Sequence, residues 1–544
     1  MPLSPEIELK LKSEIARRRT FAIISHPDAG KTTLTEKLLL YAGQIEVAGT
    51  VRGRKTQRAV TSDWMAMEQD RGISVSSTAL GFEYRGHRLG LLDTPGHQDF
   101  SEDTYRTLAA ADCAVMVLDV ANGVETQTRK LFRVCAARKI PILTLINKMD
   151  RHGKEPLDLL AEIERDLGIE TVPVNWPVGI GRDFQGVIER STGKVLLFSP
   201  SEQGSVVVPC KTIEMSELDT MVAPEIAARA KDELDLLDGA GSGFDRARFL
   251  AGKQTPVMWA SAASNYGIEP FLDAFLTLAP APGSRRAIKG TVPADREHFS
   301  GQVFKIQANL NPKHRDRVAF VRVCSGMFTP EMEPVVSRTG ERLRLKSTHT
   351  LFARERESYE AAYPGDVMGM AYTKGLRLGD TLTIGPAVEF EALPQFSPEC
   401  FALAKCPDNN RRKQMAEGLT QLADEGAIQV FVDPANNREF ILAAVGMLQF
   451  DVVKYRLETE YGVKAEISSM EFKAGAWIGA SDDVAQTMKP PFGTLIVKDH
   501  RDRWVVLAED EFSIRYLKRQ YPDLRLQGFG ESLFAPETEV ENEA

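Results

Sequence analysis

The segment FAIISHPDAGKTT, residues 21–33, is the strongest indication of the fold of the first part of the chain. An apolar run at 21–25 has the composition of a buried strand, and a helical pattern follows at 31–41. The loop between them fits the phosphate-loop rule except at its first position, where Ser25 replaces glycine. Backbone N–H groups at the start of such a helix face an anionic phosphate. The segment therefore predicts a nucleotide-binding α/β domain.

The predicted phosphate loop supplies binding and catalytic groups. Lys31 would bring a positive charge to the β- and γ-phosphates, and the hydroxyl of Thr32 would ligate Mg²⁺. A chance GKT sequence at a strand-to-helix turn would look the same, so the assignment depends on the rest of the site. The residues predicted to form the loop are Ser25, His26, Pro27, Asp28, Ala29, Gly30, Lys31 and Thr32.

The apolar runs that follow extend this prediction to a whole domain. They start near residues 88, 113, 140 and 256 and alternate with helical patterns. Continuous apolar strands between helices indicate a parallel sheet covered on both faces, which makes a P-loop domain the expected fold of residues 1–283. At about 184–253 the alternation breaks. A hairpin sequence, GVIERSTGKVLLF, and a helical pattern near 224–237 predict an insertion there.

A second motif, DTPGH, ends the apolar run that starts at residue 88. An aspartate at the carboxyl end of a strand can hold Mg²⁺ through water, and the glycine N–H can reach the γ-phosphate. In isolation, ordinary turn chemistry is the better explanation of an aspartate before a Pro-Gly turn. The residues of this motif are Asp93, Thr94, Pro95, Gly96 and His97.

A third motif, NKMD, ends the apolar run that starts near residue 140 and identifies the base. An ionised Asp150 has only acceptor oxygens, which match the adjacent N1–H and 2-amino donors of guanine and not the edge of adenine. Asn147 can tie the base region to the phosphate loop, and a small-residue strand end, Ser261 and Ala262, can cap the guanine 6-oxo group. Alone, each could be an ordinary polar loop. The four residues of the motif are Asn147, Lys148, Met149 and Asp150.

The order of these motifs carries more weight than any one of them. All four lie at the carboxyl ends of successive candidate strands, where open α/β sheets bind ligands. Together they predict a site for GTP or GDP with Mg²⁺.

The rest of the chain has a different organisation. A Pro- and Gly-rich linker follows residue 279, and short alternating strands at 296–390 predict a β-barrel. Residues 398–535 predict an α+β domain, in which the order β-α-β-β-α-β at about 401–469 is the ferredoxin-like pattern. The acidic tail, 536–544, is predicted to be disordered.

Composition narrows the class of protein. The chain has 544 residues, of which 43% are hydrophobic and 26% charged, with a formal net charge of -9. That is ordinary globular composition, and a general nucleic-acid coat is not expected. Six scattered cysteines without a CxxC pair argue against a zinc site and against a disulfide framework. With no secretory signal and no apolar stretch of about 18 residues, the chain is expected to be cytoplasmic and not in a membrane.

The motifs SHPDAGKTT, RGISV, DTPGH and NKMD together resemble the translational GTPases, the family of elongation factors G and Tu. Further segments resemble the bacterial release-factor branch of that family over nearly the whole chain. They are SDWMAMEQDRGIS, GQVFKIQANLNPKHRDRVAF, AAYPGDV and AVGMLQFDVV. The resemblance implies a GTPase that uses GTP and Mg²⁺.

The resemblance also implies individual roles. Ser74 in RGIS would be the switch-one hydroxyl that reaches Mg²⁺, and His97 would position the attacking water. Pro27 and Ile73 would form an apolar gate beside it, while Asp28 would support the active arrangement of His97. The alternative for His97 is a turn histidine whose ring is satisfied by the backbone.

The partners implied by the resemblance are the ribosome, whose large-subunit RNA loop would activate hydrolysis, and class I release factors. The expected function is their removal and recycling after peptide release, by a monomer that uses neither DNA nor a membrane. The decoding-site domain of elongation factor G is not expected in this chain, so translocation is not the expected function. Two alternatives stay open: a shortened elongation-type or ribosome-protection GTPase, and an RNA-binding module with structural nucleotide. Basic clusters at 311–317 and 411–413 are candidate RNA contacts or solvated faces.

Overall fold

A computed structural model describes residues 4–529, except 46–77, 96, 200–206, 240, 242, 309–316, 344–346, 353–354, 358–359, 373–374, 394–396, 483–484 and 486–490. Ser74, Ile73, Gly96, most of the 311–317 cluster and the 536–544 tail, all singled out by the sequence, lie outside the described residues. None of the described helices is long and apolar enough to cross a bilayer.

The first part of the chain alternates strands and helices, as the apolar runs predict. Its strands are β1 (Arg18–Ser25), β2 (Thr78–Tyr84), β3 (His87–Asp93), β4 (Cys113–Asp119), β5 (Ile142–Asn147), β6 (Glu170–Pro173) and, after an intervening small sheet, β11 (Gln254–Trp259). The helices are Pro5–Ala16, Lys31–Tyr41, Ser101–Ala110, Thr126–Ala137, Pro156–Leu167 and Ile268–Leu278.

These strands form a mostly parallel sheet in the order β2-β3-β1-β4-β5-β11-β6, with β2 antiparallel at one side. The central strands β4 and β5 are buried along their whole length. Apolar clusters cover both faces of the sheet, one packed by helix Ser101–Ala110 and the other by helices Lys31–Tyr41 and Ile268–Leu278. The predicted P-loop fold is confirmed, and every parallel strand ends at the same edge.

A small antiparallel sheet branches from this domain, in the order β10-β9-β8-β7. The predicted hairpin is its centre, and the sheet also takes in a strand ahead of the hairpin. Helix Pro224–Gly239 packs on it, and the indole N–H of Trp176 donates to Glu233 (2.9 Å). The elements are β7 (Asn175–Val178), β8 (Gly186–Glu189), β9 (Lys194–Phe198), β10 (Cys210–Ile213) and helices Leu218–Met221, Pro224–Gly239 and Arg246–Leu250.

The second part of the chain is all β, as expected. After the β12–β13 hairpin, antiparallel strands follow the order β16-β20-β14-β15-β19-β17 around an apolar core, and one bridge, Phe352 to Gly81, joins them to the first sheet. The strands are β12 (Arg285–Ala287), β13 (Gly290–Val292), β14 (Ser300–Ala308), β15 (Arg317–Ser325), β16 (Val335–Val336), β17 (Ser347–Phe352), β18 (Glu355–Glu357), β19 (Val367–Tyr372) and β20 (Thr381–Thr383).

The C-terminal part contains the predicted ferredoxin-like order. Strands β24-β21-β23-β22 form the antiparallel sheet, and β26-β27-β25-β28 extend it. The strands are β21 (Cys400–Lys405), β22 (Gln429–Asp433), β23 (Asn436–Ala444), β24 (Glu466–Met470), β25 (Ala474–Trp477), β26 (Thr494–Asp499), β27 (Trp504–Ala508) and β28 (Gln527–Gly528); the helices are Arg412–Asp424, Leu448–Tyr461 and Glu511–Gln520. The predicted residue bounds of the three domains stay predictions.

A buried polar network joins the first domain to the β-rich one. Arg322 donates to Asp112 (2.5 Å) and to the carbonyl of Gly365 (2.8 Å), and Arg285 donates to the other carboxylate oxygen of Asp112 (3.1 Å). The Asp112 side chain is 6% exposed. Because each charge has partners on the other side of the junction, the network fixes how the two parts meet.

Replacing Asp112 with alanine is expected to destabilise this junction by about 3–5 kcal/mol, since a buried guanidinium then loses its counter-charge. The first transition in urea unfolding should move to lower concentration than in the wild-type chain. Asp158→Ala, at an exposed position, is the matched control and should leave the midpoint in place. An Asp112→Ala midpoint equal to that of the control would contradict the assigned role.

Candidate nucleotide site

The carboxyl ends of four strands bring together the motifs predicted from the sequence. In the strand pairing, Ile23 of β1 lies opposite Asp93 of β3, and Asp119 of β4 lies opposite Asn147 of β5. The loop after β11 carries Ser261 and Ala262 to the same edge. The site is therefore an elongated row of loops, with the phosphate loop beside DTPGH and the base-reading loop beyond β4.

Two residues of the phosphate loop have a positive φ, a backbone conformation that favours glycine. Gly30 caps helix Lys31–Tyr41 with φ 98°, and Asp28 has φ 66°. A Cβ on Gly30 would lie 2.3 Å from Asn147 Nδ2. Glycine is required at position 30 because φ is positive there and because the backbone lies directly against the side chain of Asn147. The first N–H groups of this helix have no partner within it and point to the loop, as a phosphate site needs.

Lys31 and Asp93 are buried beside each other at the phosphate end. Their side chains are 8% and 3% exposed, and Lys31 Nζ lies 3.4 Å from Asp93 Oδ1. Among the described residues, Lys31 Nζ has no hydrogen-bond partner. A buried ammonium needs acceptors, and phosphate oxygens would supply them. The Asp93 carboxylate and the Thr32 hydroxyl offer the oxygen donors that Mg²⁺ prefers, so the types of donor fit this ion.

Asn147 connects the two ends of the site. Its Nδ2 donates to the carbonyl of Ala29 in the phosphate loop (2.9 Å), and its Oδ1 accepts from the N–H of Ala262 (2.9 Å). The side chain is 1% exposed. Since both amide atoms are used, Asn147 fixes the phosphate loop relative to the loop after β11, as the sequence suggested.

The base-reading end is built around Asp150. The hydroxyl of Ser261 donates to Asp150 Oδ1 (2.6 Å), and the N–H of Met149 donates to the carbonyl of Ala260 (3.2 Å). The carboxylate is half-buried and keeps further acceptor capacity, because each oxygen has two lone pairs. An oriented carboxylate of this kind can accept a pair of neighbouring N–H groups.

Asp119 is a site residue that the motif analysis missed. Its Oδ2 accepts from Lys148 Nζ (2.7 Å), and Lys148 also donates to the backbone carbonyl of Asp28. Lys148 therefore lies along the row of loops and links the base-reading loop to the phosphate loop. The signal was present: Asp119 ends an apolar strand, as Asp93 and Asn147 do.

Tyr41 ties the far end of the phosphate-loop helix to its surroundings. Its hydroxyl donates to the carbonyl of Asn265 (3.2 Å) and accepts from the N–H of Val208 (3.3 Å). Burial raises the pKa of Tyr41 to about 12, so the hydroxyl stays protonated even at a pH where an exposed tyrosine ionises. This contact helps to fix the helix without adding charge to the site.

His97, the last residue of DTPGH, stands at the edge of the phosphate end, directly before the short helical turn Gln98–Phe100. Its ring is 30% exposed, and Nδ1 lies 3.3 Å from both the backbone N and the Oδ1 of Asp99. Asp99 is a second residue that the motif analysis missed. The predicted partners Ser74, Ile73 and Gly96 lie outside the described residues, so their roles stay predictions.

Gly30→Ala is expected to weaken GDP binding about 10–100-fold, because a side chain at φ 98° is strained and its methyl group meets Asn147. The measurement is a titration with a fluorescent GDP analogue. Gly43→Ala is a matched control at the end of the same helix, with φ 70° and open space around the added methyl. Equal affinities of the two variants would show that the contact with Asn147 does not shape the loop.

Family comparisons agree with this architecture. Residues 16–281 match the elongation factor Tu GTP binding domain, residues 298–385 match elongation factor G domain 2, and residues 390–518 match the C-terminal domain of the class II release factor RF3. The crystal structure of ttk003000868 from Thermus thermophilus is similar in fold, with a TM-score of 0.67 and 24% identity over 86% of this chain and 71% of that one.

Curated relatives are similar over almost their whole length. Peptide chain release factor 3 of Gloeobacter violaceus is 50% identical over 519 residues, which cover 95% of this chain and 98% of the relative. Peptide chain release factor 3 of Synechococcus elongatus is 48% identical over 525 residues, 96% of this chain and 94% of the relative.

Proposed function

Because this chain belongs to the peptide chain release factor 3 family, and is therefore a GTPase of translation termination, we propose that it hydrolyses GTP on the ribosome to release and recycle class I release factors. The observation that carries the nucleotide part is the Asn147 bridge, which ties the base-reading motif to the phosphate loop on one side and to the loop after β11 on the other. The match of residues 390–518 to a release-factor domain supports termination over an elongation-type role.

In this proposal each loop has a defined task. The helix start at Lys31 binds the β- and γ-phosphates, and Asp150 reads N1–H and the 2-amino group of guanine. Mg²⁺ would be held by Thr32, by Asp93 through water and by Ser74. When bound, the ion neutralises charge on the phosphate oxygens. These contacts orient GTP so that its γ-phosphate faces His97.

Hydrolysis requires an oriented water and stabilisation of the developing charge. His97 would orient the water, Asp28 would support the active position of His97, and Lys31 would stabilise charge on the phosphates. Pro27 and Ile73 would keep the approach to the γ-phosphate apolar until the active state forms. A large-subunit ribosomal RNA loop would bring His97 into place, which explains why such GTPases are slow alone.

The proposal places the protein in the cytoplasm, as a monomer that meets translating ribosomes. Of the two basic clusters, residues 411–413 open the helix Arg412–Asp424, where Arg411 and Lys413 are exposed. Their positive charges are available for RNA phosphates. The resemblance favours ribosomal contact for the first cluster, residues 311–317, and that contact stays a prediction.

The test measures GTP turnover against ribosome concentration, with and without a class I release factor. The proposal expects ribosomes to stimulate turnover. It also expects a fluorescently labelled class I factor to leave post-release ribosomes faster when this protein and GTP are present. Turnover that does not respond to ribosomes would rule out the proposal. Stimulated turnover without faster departure would favour an elongation-type or ribosome-protection role instead.

A further inference from the structure

Asp99 lies between His97 and the C-terminal domain and contacts both. Its Oδ1 is 3.3 Å from His97 Nδ1, and its Oδ2 accepts from the backbone N–H of Leu448 at 2.9 Å. The two contacts use different oxygens of one carboxylate, and the backbone N–H of Asp99 also donates to His97 Nδ1 (3.3 Å). A shift of the Leu448 backbone that moves Asp99 therefore changes the surroundings of the imidazole ring on its Nδ1 side.

The shape of the C-terminal turn matches this carboxylate closely. Gly446 passes directly over Asp99, and a Cβ on Gly446 would lie 2.1 Å from the carboxylate carbon. Gly446 does not have a left-handed φ, so its backbone is one that alanine also adopts. Glycine is needed at position 446 because Asp99 lies so close to the backbone, and the φ of this residue does not require it.

An apolar contact next to Asp99 holds the same two surfaces together. Phe100 is 6% exposed and forms a small cluster with Val452, Leu448 and Tyr455 of helix Leu448–Tyr461. This cluster lies beside the hydrogen bond from Leu448 to Asp99, and Asp99 itself is 9% exposed. The turn that carries His97 is therefore fastened to the C-terminal domain by a hydrogen bond, a close backbone contact and a buried ring.

We propose that Asp99 is a positioning residue for His97, and that the C-terminal turn at 446–448 sets the position of Asp99. GTP hydrolysis then depends on how the C-terminal domain docks on the GTPase domain, in addition to the ribosome. The inference rests on the proposed function, because it assigns His97 to orientation of the attacking water. It extends that function by making a domain contact part of the active site.

The direct test is Gly446→Ala, which adds one methyl group against Asp99 and so displaces the carboxylate without removing either the carboxyl or the imidazole group. We expect kcat for ribosome-stimulated GTP hydrolysis to fall about 10–100-fold, because small misplacements of an orienting group cost that much. GDP affinity and the half-saturating ribosome concentration should stay within about 2-fold, since the residues of the nucleotide pocket are unchanged. Gly283→Ala, exposed and with open space around the added methyl, is the control and should match the wild type.

A double-variant cycle separates positioning from a general loss of structure. Asp99→Ala should lower kcat by a similar factor, and Gly446→Ala should add little to it, because the methyl group then has no carboxylate to displace. In a His97→Ala background, neither change should reduce hydrolysis further. Additive losses in either cycle, or a Gly446→Ala variant that hydrolyses GTP like the Gly283→Ala control, would overturn the inference.

The two hypotheses fail in different ways. If the proposed function is wrong, the wild-type chain itself shows no ribosome-stimulated hydrolysis. If only the inference is wrong, the wild-type chain is stimulated and the Asp99 and His97 variants are additive. Should Gly446→Ala fold poorly, as shown by a lower thermal transition, the Asp99→Ala and His97→Ala cycle still decides the question.

Discussion

The variant Asp150→Asn is expected to bind GTP about 100-fold more weakly and to bind xanthosine triphosphate in its place. One carboxylate accepts two guanine N–H groups in the proposed complex, and hydrogen bonds to a charged group contribute about 1.5–3 kcal/mol each. Asparagine puts a donor where an acceptor is needed, so the 2-amino group of guanine meets an N–H. Xanthine has an oxygen at that position and accepts from the amide.

Ser261 can hold an asparagine at position 150 in the orientation that binds xanthine. Its hydroxyl donates to Asp150 Oδ1 at 2.6 Å, and it can donate equally to the oxygen of an asparagine. The amide would then be held with its nitrogen on the other side. Titration of the variant with fluorescent GTP and xanthosine triphosphate analogues measures both affinities.

Asp158→Asn makes the same chemical change at an exposed position and should keep wild-type GTP binding. Comparing the GTP affinities of the two variants separates loss of base recognition from a general effect of removing one negative charge. If Asp150→Asn bound GTP as tightly as this control does, Asp150 would not contact the base.

Local sequence patterns predicted the parts of the site that belong to single strands. Asn147 and Asp93 were identifiable because each ends a continuous apolar run, and parallel strands bring their carboxyl ends to one edge. The β-α-β-β-α-β order likewise predicted the C-terminal sheet, since each element shows its own periodicity. In these cases the information lies within about ten residues of the position concerned.

Contacts between distant segments could not be predicted in this way. The hydrogen bond from the Leu448 N–H to Asp99 joins residues 349 positions apart. Because the donor is a backbone N–H, which nearly every residue type has, the identity of residue 448 does not indicate this bond. The strand β7 has four buried residues, and its pairing with β8 depends on the route of the chain after β6. Asp119 was visible as a strand-end acid, but its link to Lys148 depends on the left-handed backbone of that lysine, φ 65°.

Replacing His97 with alanine is expected to lower ribosome-stimulated GTP hydrolysis about 10²–10⁴-fold, the range that a positioned acid–base or orienting group contributes. Binding of GTP and GDP should change little, because the ring lies at the edge of the site and 30% of its side chain is exposed. The loss should therefore appear in kcat measured at saturating ribosomes.

The matched control is His87→Ala, because His87 begins the same strand, β3, whose other end leads to His97. It removes an imidazole from the opposite edge of the sheet. There, within the described part of the chain, Nδ1 of His87 lies 3.3 Å from the backbone carbonyl oxygen of Arg85. Single-turnover hydrolysis on saturating ribosomes, with GTP affinity measured separately, compares the two variants. Equal rates would mean that His97 is a turn histidine held by Asp99, and the water would need another partner. A loss confined to His97→Ala would instead tie hydrolysis to the imidazole that Asp99 holds.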